Sequence, residues 1–148
     1  MLPSPNGSAI AAAATGSTVV AGCLRHAAAV GPARQGHGTA ERPLAVIAAG
    51  ERWPDGSLRP ALEDLLGAGA IIDELVSHGA GPLSPEAAAA RACFTGTPDV
   101  AAAVASCSSG LEPARSGFAD DVAVATELDA CAGVPVLADG AFHDGTGS

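Results

Sequence analysis

Residues 44–49, Leu-Ala-Val-Ile-Ala-Ala, form an unbroken apolar run that stops at Gly50-Glu51-Arg52. A strand buried on both faces reads this way, because helices packed on either side of a parallel sheet remove the alternation that a half-exposed strand keeps. The run therefore predicts an α/β fold, a three-layer sandwich with a central, mostly parallel sheet flanked by helices. Apolar residues make up 48% of the chain and aromatic residues only 3%. The core must then be filled by Ala, Val, Leu and Ile, which are small enough for close helix-on-sheet packing. A length of 148 residues fits a single domain over 1–148.

Around the central run, the chain alternates in βα fashion. A loop over residues 2–8 should feed a helix over 9–14 capped by Asn6 or Ser8, followed by a short strand over 17–23 and a helix over 24–30. Residues 31–42 are glycine-rich, polar and aperiodic, which predicts a flexible surface loop. Pro60 stands where a helix carrying Leu62, Leu65 and Leu66 should begin, and Gly67 and Gly69 predict a kink or a helical hairpin. Ser84-Pro85-Glu86 and Thr97-Pro98-Asp99 each set a capping residue before proline and an acid, marking helices over 85–94 and 98–106. A helix over 118–128 and a last strand over 134–138 follow, with a turn at Asp139-Gly140 and a disordered tail over 143–148.

Charge narrows the ligands. The net charge of -9 argues against a nucleic-acid backbone as partner. The chain has no lysine, so an anion must be held by arginine, helix N-termini or a bound cation. No apolar run reaches the roughly 20 residues that cross a bilayer, and the N-terminal residues carry no basic start, so a soluble cytoplasmic protein without membrane partner is expected. The four cysteines, with no C-x-x-C pair, read as reduced and mostly buried. The motifs C-x5-R, G-x-S-x-G, H-E-x-x-H, Walker A and D-x-D-x-[ST] are all absent, so a hydrolase on this chain would rely on a metal and an activated water.

Several blocks of residues occur in a familiar order. Pro5-Asn6-Gly7-Ser8, the stretch from Val19 to Ala27 (Val-Val-Ala-Gly-Cys-Leu-Arg-His-Ala), and Ile47-Ala48-Ala49-Gly50-Glu51-Arg52 with Leu62-Glu63-Asp64 come first. Gly117-Phe118-Ala119-Asp120-Asp121-Val122, Leu128-Asp129 and Val134-Pro135-Val136-Leu137-Ala138-Asp139-Gly140 follow. In this order the chain resembles the 2-phosphosulfolactate phosphatases. The resemblance implies an α/β fold and magnesium-dependent hydrolysis of 2-phospho-3-sulfolactate, or a similar small phosphorylated hydroxy acid, to the hydroxy acid and phosphate. In methanogens that step belongs to coenzyme M biosynthesis. The resemblance also implies a strand and an Asp-x-x-Arg-Ala-Thr-like stretch ahead of the Asn-Gly-Ser motif, whereas Met1 stands four residues before Pro5. The chain is therefore expected to be the truncated, C-terminal part of such a domain, with a non-catalytic remnant that at most binds small anions as the alternative. Apolar surface left by a truncated sheet would suit a homo-oligomer. His26 stands where the family often has asparagine.

Glu51 and Arg52 leave the expected central strand at its C-terminal end, where open α/β sheets place ligands. Glu51 suits a magnesium ligand and Arg52 a bidentate anion clamp, and a surface ion pair is the plainer reading. Asn6-Gly7-Ser8 at a helix start is either an ordinary cap or a phosphate or sulfonate site. Glu63 and Asp64 point about 100° apart on one helix, so only one can face the metal, and Asp64 is the candidate. Arg25 and Arg59 are the candidate substrate-binding arginines, with Arg115 behind them. Asp55, in a Pro-Asp-Gly turn, reads as structural, and His26 as packing.

Overall fold

A computed structural model describes residues 5–34 and 36–145. Residues 2–4 of the expected N-terminal loop, Gln35, and 146–148 of the expected tail lie outside them. Helix α1 runs Pro5–Ala13, so residues 5–8 are its first turn rather than a loop before it. A 3-10 turn, Leu24–His26, leads into α2, Ala27–Ala33. The loop expected over 31–42 thus gives up its first three residues to α2. Its later part closes a turn, with Gly38 N–H donating to the Arg42 carbonyl at 2.7 Å.

The central parallel sheet is not found. Among the described residues the strands form two small antiparallel pairs, β1 (Glu51–Arg52) with β2 (Leu58–Arg59) and β3 (Pro135–Ala138) with β4 (Ala141–Asp144). Residues 44–49 are outside regular secondary structure. Leu44 and Val46 pack on the core while Ile47 is 63% exposed, so the run is covered on one side only. Apolarity alone named no strand partner, and among the described residues none pairs with it. The strand expected over 17–23 is reduced to one antiparallel bridge, Val20 with Val136.

Local turn chemistry explains both hairpins. Trp53-Pro54-Asp55-Gly56 closes through Gly56 N–H to the Trp53 carbonyl at 2.8 Å, with Gly56 at φ +84°. Asp55 accepts from the Ser57 N–H at 2.9 Å and its hydroxyl at 2.6 Å, the structural role its turn suggested. Asp139 and Gly140 both take positive φ (+52° and +77°), as a two-residue hairpin turn demands. His143 and Asp144, expected in a disordered tail, are therefore in β4.

The core is helical. Helix α3, Leu62–Ser77, is buried all round over residues 66–72, including the fully buried Leu66, and is flanked by α2 and by α4, Pro85–Thr95. Glycines 67 and 69 neither kink it nor split it. Gly69 is instead where α4 crosses, since a Cβ there would meet the Ala90 carbonyl oxygen and sit 2.7 Å from Phe94 Cβ. An Asp73–Arg91 ion pair at 2.7 Å joins the same two helices. Ser84 caps α4 through the Ala87 N–H. Asp99, rather than Thr97, caps α5, Val100–Ser106, so that helix starts later than its proline suggested. Helix α6, Ser108–Arg115, was hidden by a Ser-Ser-Gly that reads as a helix end. Helix α7, Ala119–Ala125, is shorter than expected.

The two α3 glycines should respond oppositely to alanine. Gly69→Ala overpacks the crossing and should cost about 1–3 kcal/mol. A Cβ at Gly67 meets nothing within 4 Å, so Gly67→Ala should stabilise by about 0.5–1 kcal/mol through helix propensity. Urea midpoints of the two variants against the parent measure the contrast.

Candidate active site

The residues that follow the apolar run are organised by one peptide unit. Gly50 takes φ +68°, a left-handed conformation that also leaves little space, because a Cβ would lie 3.0 Å from Leu58 Cδ1. Its N–H donates to Asp64 Oδ2 at 2.7 Å. Its carbonyl accepts from Asn6 Nδ2 at 2.9 Å, and the same amide nitrogen lies 3.4 Å from Glu51 Oε2. Helix α1, the β1–β2 hairpin and the first turn of α3 are thereby pinned to one glycine.

A cleft of about 240 Å³ opens at this junction, lined by Asn6, Ala9, Ile10 and Ala13 of α1 on one side and by Glu51, Arg52 and Leu58 on the other. One wall is apolar and the other carries a carboxylate and a guanidinium. Arg52 donates to the Gly56 carbonyl at 2.8 Å, which steers its exposed side chain along the hairpin. Partial burial pushes the Asp64 carboxyl above its ordinary range; the Gly50 N–H works against this, and the charges of Glu63 and Glu51 reinforce it.

The candidate residues divide into three groups. Asn6, Glu51 and Arg52 meet at the cleft, and Asp64 stands directly behind it on the Gly50 N–H. Gly7 and Ser8 belong to the same turn of α1 but do not line the cleft, and Ser8 is exposed. Arg25 is elsewhere: it binds Glu127, the Val124 carbonyl at 2.7 Å and Cys131 Sγ at 3.5 Å, tying the 3-10 turn to the chain after α7. Arg59 faces Glu51 in the hairpin register, but its guanidinium is bidentate to Glu112 of α6, at 2.6 and 3.1 Å, and stacks over Trp53 at 5.4 Å. Arg59 in turn holds the Glu112 carboxyl below its usual range. Glu112 escaped the sequence reading because it belongs to the helix that reading missed. The signal for Asn6 was present, though its target is the Gly50 peptide.

Among the described residues no three His, Cys, Asp or Glu side chains gather as a metal group. The donors at hand are hard carboxylate oxygens, from Glu51 and Asp64 on either side of the Gly50 peptide. They fit magnesium, which takes one or two carboxylates and keeps several waters, far better than zinc. Two of the four cysteines, Cys23 and Cys131, are exposed rather than buried, each beside a polar partner.

Fold and cleft together define a mixed α/β protein with an acid and an arginine set against an apolar helix wall. The family model for 2-phosphosulpholactate phosphatase matches residues 1–140 of the 148. The chain belongs to that family, whose members are phosphatases acting on phosphate esters. No curated protein matches the chain. Among the described residues no helix is long and apolar enough to cross a membrane.

Asp64 can be tested as a strut separately from any ligand role. Asp64→Ala leaves the Gly50 N–H without its acceptor and should cost about 1–2 kcal/mol, whereas Asp64→Asn keeps an acceptor oxygen and should cost little. The folded protein binds the Asp64 proton more tightly than the unfolded chain does. Its contribution to stability therefore falls as pH rises from the ordinary carboxylate range through the raised folded-state value. Urea melts across mildly acidic pH should show the stability of the parent falling relative to that of Asp64→Asn as pH rises.

Proposed function

We propose that this chain is a magnesium-dependent phosphatase acting on 2-phospho-3-sulfolactate or a similar small phosphorylated hydroxy acid. The observation that carries the reading is the Gly50 clamp: Asn6 and Asp64, distant in sequence, bond the Gly50 peptide, and Glu51 and Arg52 follow that peptide into the cleft. The family match over residues 1–140 supplies the reaction class.

The roles follow from the chemistry of each group. Arg52 is bonded to a neutral carbonyl, so its charge is available to hold a phosphate or sulfonate oxygen. Glu51, on the next residue, orients the attacking water, takes its proton as the new phosphorus–oxygen bond forms, and returns it to the departing hydroxy-acid oxygen as the ester phosphorus–oxygen bond breaks. Asn6 fixes the Glu51 carboxylate with the same amide nitrogen that bonds the Gly50 carbonyl. The apolar face of α1, with Ala9, Ile10 and Ala13, limits water at the reacting centre. Magnesium would be held by Glu51, with Asp64 behind it, and when bound supplies charge compensation for a strongly negative substrate and a more acidic water. Asp64 is already bonded through Oδ2, leaving Oδ1 for that purpose.

Phosphate release from 2-phospho-3-sulfolactate, with the carboxylate analogue beside it, tests the proposal. Release should require magnesium and stop with a chelator. Glu51→Gln should lower kcat by roughly 10²-fold or more, and Arg52→Ala should raise KM. No phosphate from either substrate, while calorimetry still detects binding, would leave only the anion-binding alternative.

A further inference from the structure

Far along the chain from the Gly50 clamp, the turn entering α2 holds a cysteine and a histidine that phosphate chemistry leaves unused. Cys23 Sγ lies 3.2 Å from His26 Nδ1, and His26 Nε2 lies 3.1 Å from the Ala21 carbonyl oxygen. A carbonyl oxygen can only accept, so in the neutral ring Nε2 carries the hydrogen and Nδ1 turns its lone pair to the thiol. Nucleophile, base and an acceptor that orients the base therefore stand in sequence, the arrangement that activates a thiol. Cys23 is exposed. A second cleft, of about 410 Å³, opens at His26 and is also lined by Cys131, Phe142 and His143; it shares no residue with the first.

We propose that Cys23 is a thiol-exchange site for small disulfides. His26 Nδ1 takes the Cys23 proton, and the thiolate attacks one sulfur of the disulfide. The sulfur–sulfur bond breaks, and the departing sulfur takes the proton from His26. One mixed disulfide on Cys23 and one free small thiol result, so the Cys23 sulfur is oxidised, the departing sulfur is reduced, and no further reagent is needed. The other cysteines lack this arrangement. Cys107 directs its thiol at the Glu63 carboxylate, 3.6 Å away, where a negative charge opposes thiolate formation. Cys93 is only partly exposed. Cys131 has Arg25 at 3.5 Å but, in its hydrogen bonds, no base. The charged and titratable groups around the pair are Arg25 on its own turn and, from the facing segments, Glu127, Asp129, Cys131, His143 and Asp144.

The chromogenic disulfide 5,5′-dithiobis(2-nitrobenzoate), added to the full chain and followed by peptide mass spectrometry, tests this. Cys23 should be labelled first. His26→Asn should slow that labelling by roughly tenfold or more near neutral pH. The gap should close near pH 10, roughly, where an ordinary thiol ionises without help. Cys23→Ser, a change at an exposed position that does not depend on His26→Asn folding, should remove the fast phase altogether. First labelling at any other cysteine, a fast phase that survives Cys23→Ser, or an unchanged Cys23 rate in folded His26→Asn would overturn the proposal.

Discussion

The site depends on one constraint, that the Gly50 peptide must be held at positive φ with both of its polar ends bonded to side chains. Asp64 takes the N–H and Asn6 the carbonyl. Neither bond belongs to a helix or a sheet, so nothing in the regular structure would replace either one. A side chain at Gly50 would be strained by its φ and crowded by Leu58. The clamp also bears on direction: beyond Gly50, Glu51 enters the hairpin bonded to Asn6 of α1, and Arg52 runs along the turn to the Gly56 carbonyl. A cleft built on so short a hairpin has little stiffness of its own. It borrows stiffness from α3, whose first turn carries Asp64.

Helix α3 can lend that stiffness because it is itself immobilised by close packing. The scarcity of aromatic residues forces the helices together: where two helices are lined by Ala and Gly, backbone approaches backbone, and small changes in volume have no room to relax. Gly69 against Ala90 and Phe94 is such a place between α3 and α4. The Asp73–Arg91 pair adds register to a contact that small residues alone would leave free to slide.

What could be read from the sequence was local. Ser84 capping α4, the Asp55 turn and the Asp139-Gly140 turn are decided within four residues, by donors, acceptors and φ values that the residue types themselves carry. What could not be read was pairing. Residues 44–49 have the composition of a central strand, but a strand exists only with a neighbour, and the apolar run contains no information about whether one is present. The same limit explains Arg59: it read as a candidate substrate-binding arginine, while its partner Glu112 lies 53 residues away on a helix disguised by Ser108-Ser109-Gly110. That Glu51 and Arg52 leave the apolar run together was legible because Gly50 punctuates it, although what positions them is the clamp rather than a sheet edge.

Charge allocation gives the cleft its polarity. The chain has seven arginines, no lysine and sixteen acids. Arg25, Arg59 and Arg91 are each bound to a carboxylate, and each of those pairs serves to join two parts of the fold. Arg52 differs in kind. Its hydrogen bond goes to a carbonyl, which orients the guanidinium without neutralising it, and it sits at the one wall of the cleft that is not apolar. An incoming dianion therefore meets a cation already held in place, beside a carboxylate, Glu51, whose own charge would repel it unless a divalent ion or a proton intervenes. On the proposed function, binding of that dianion would be coupled to whatever neutralises Glu51.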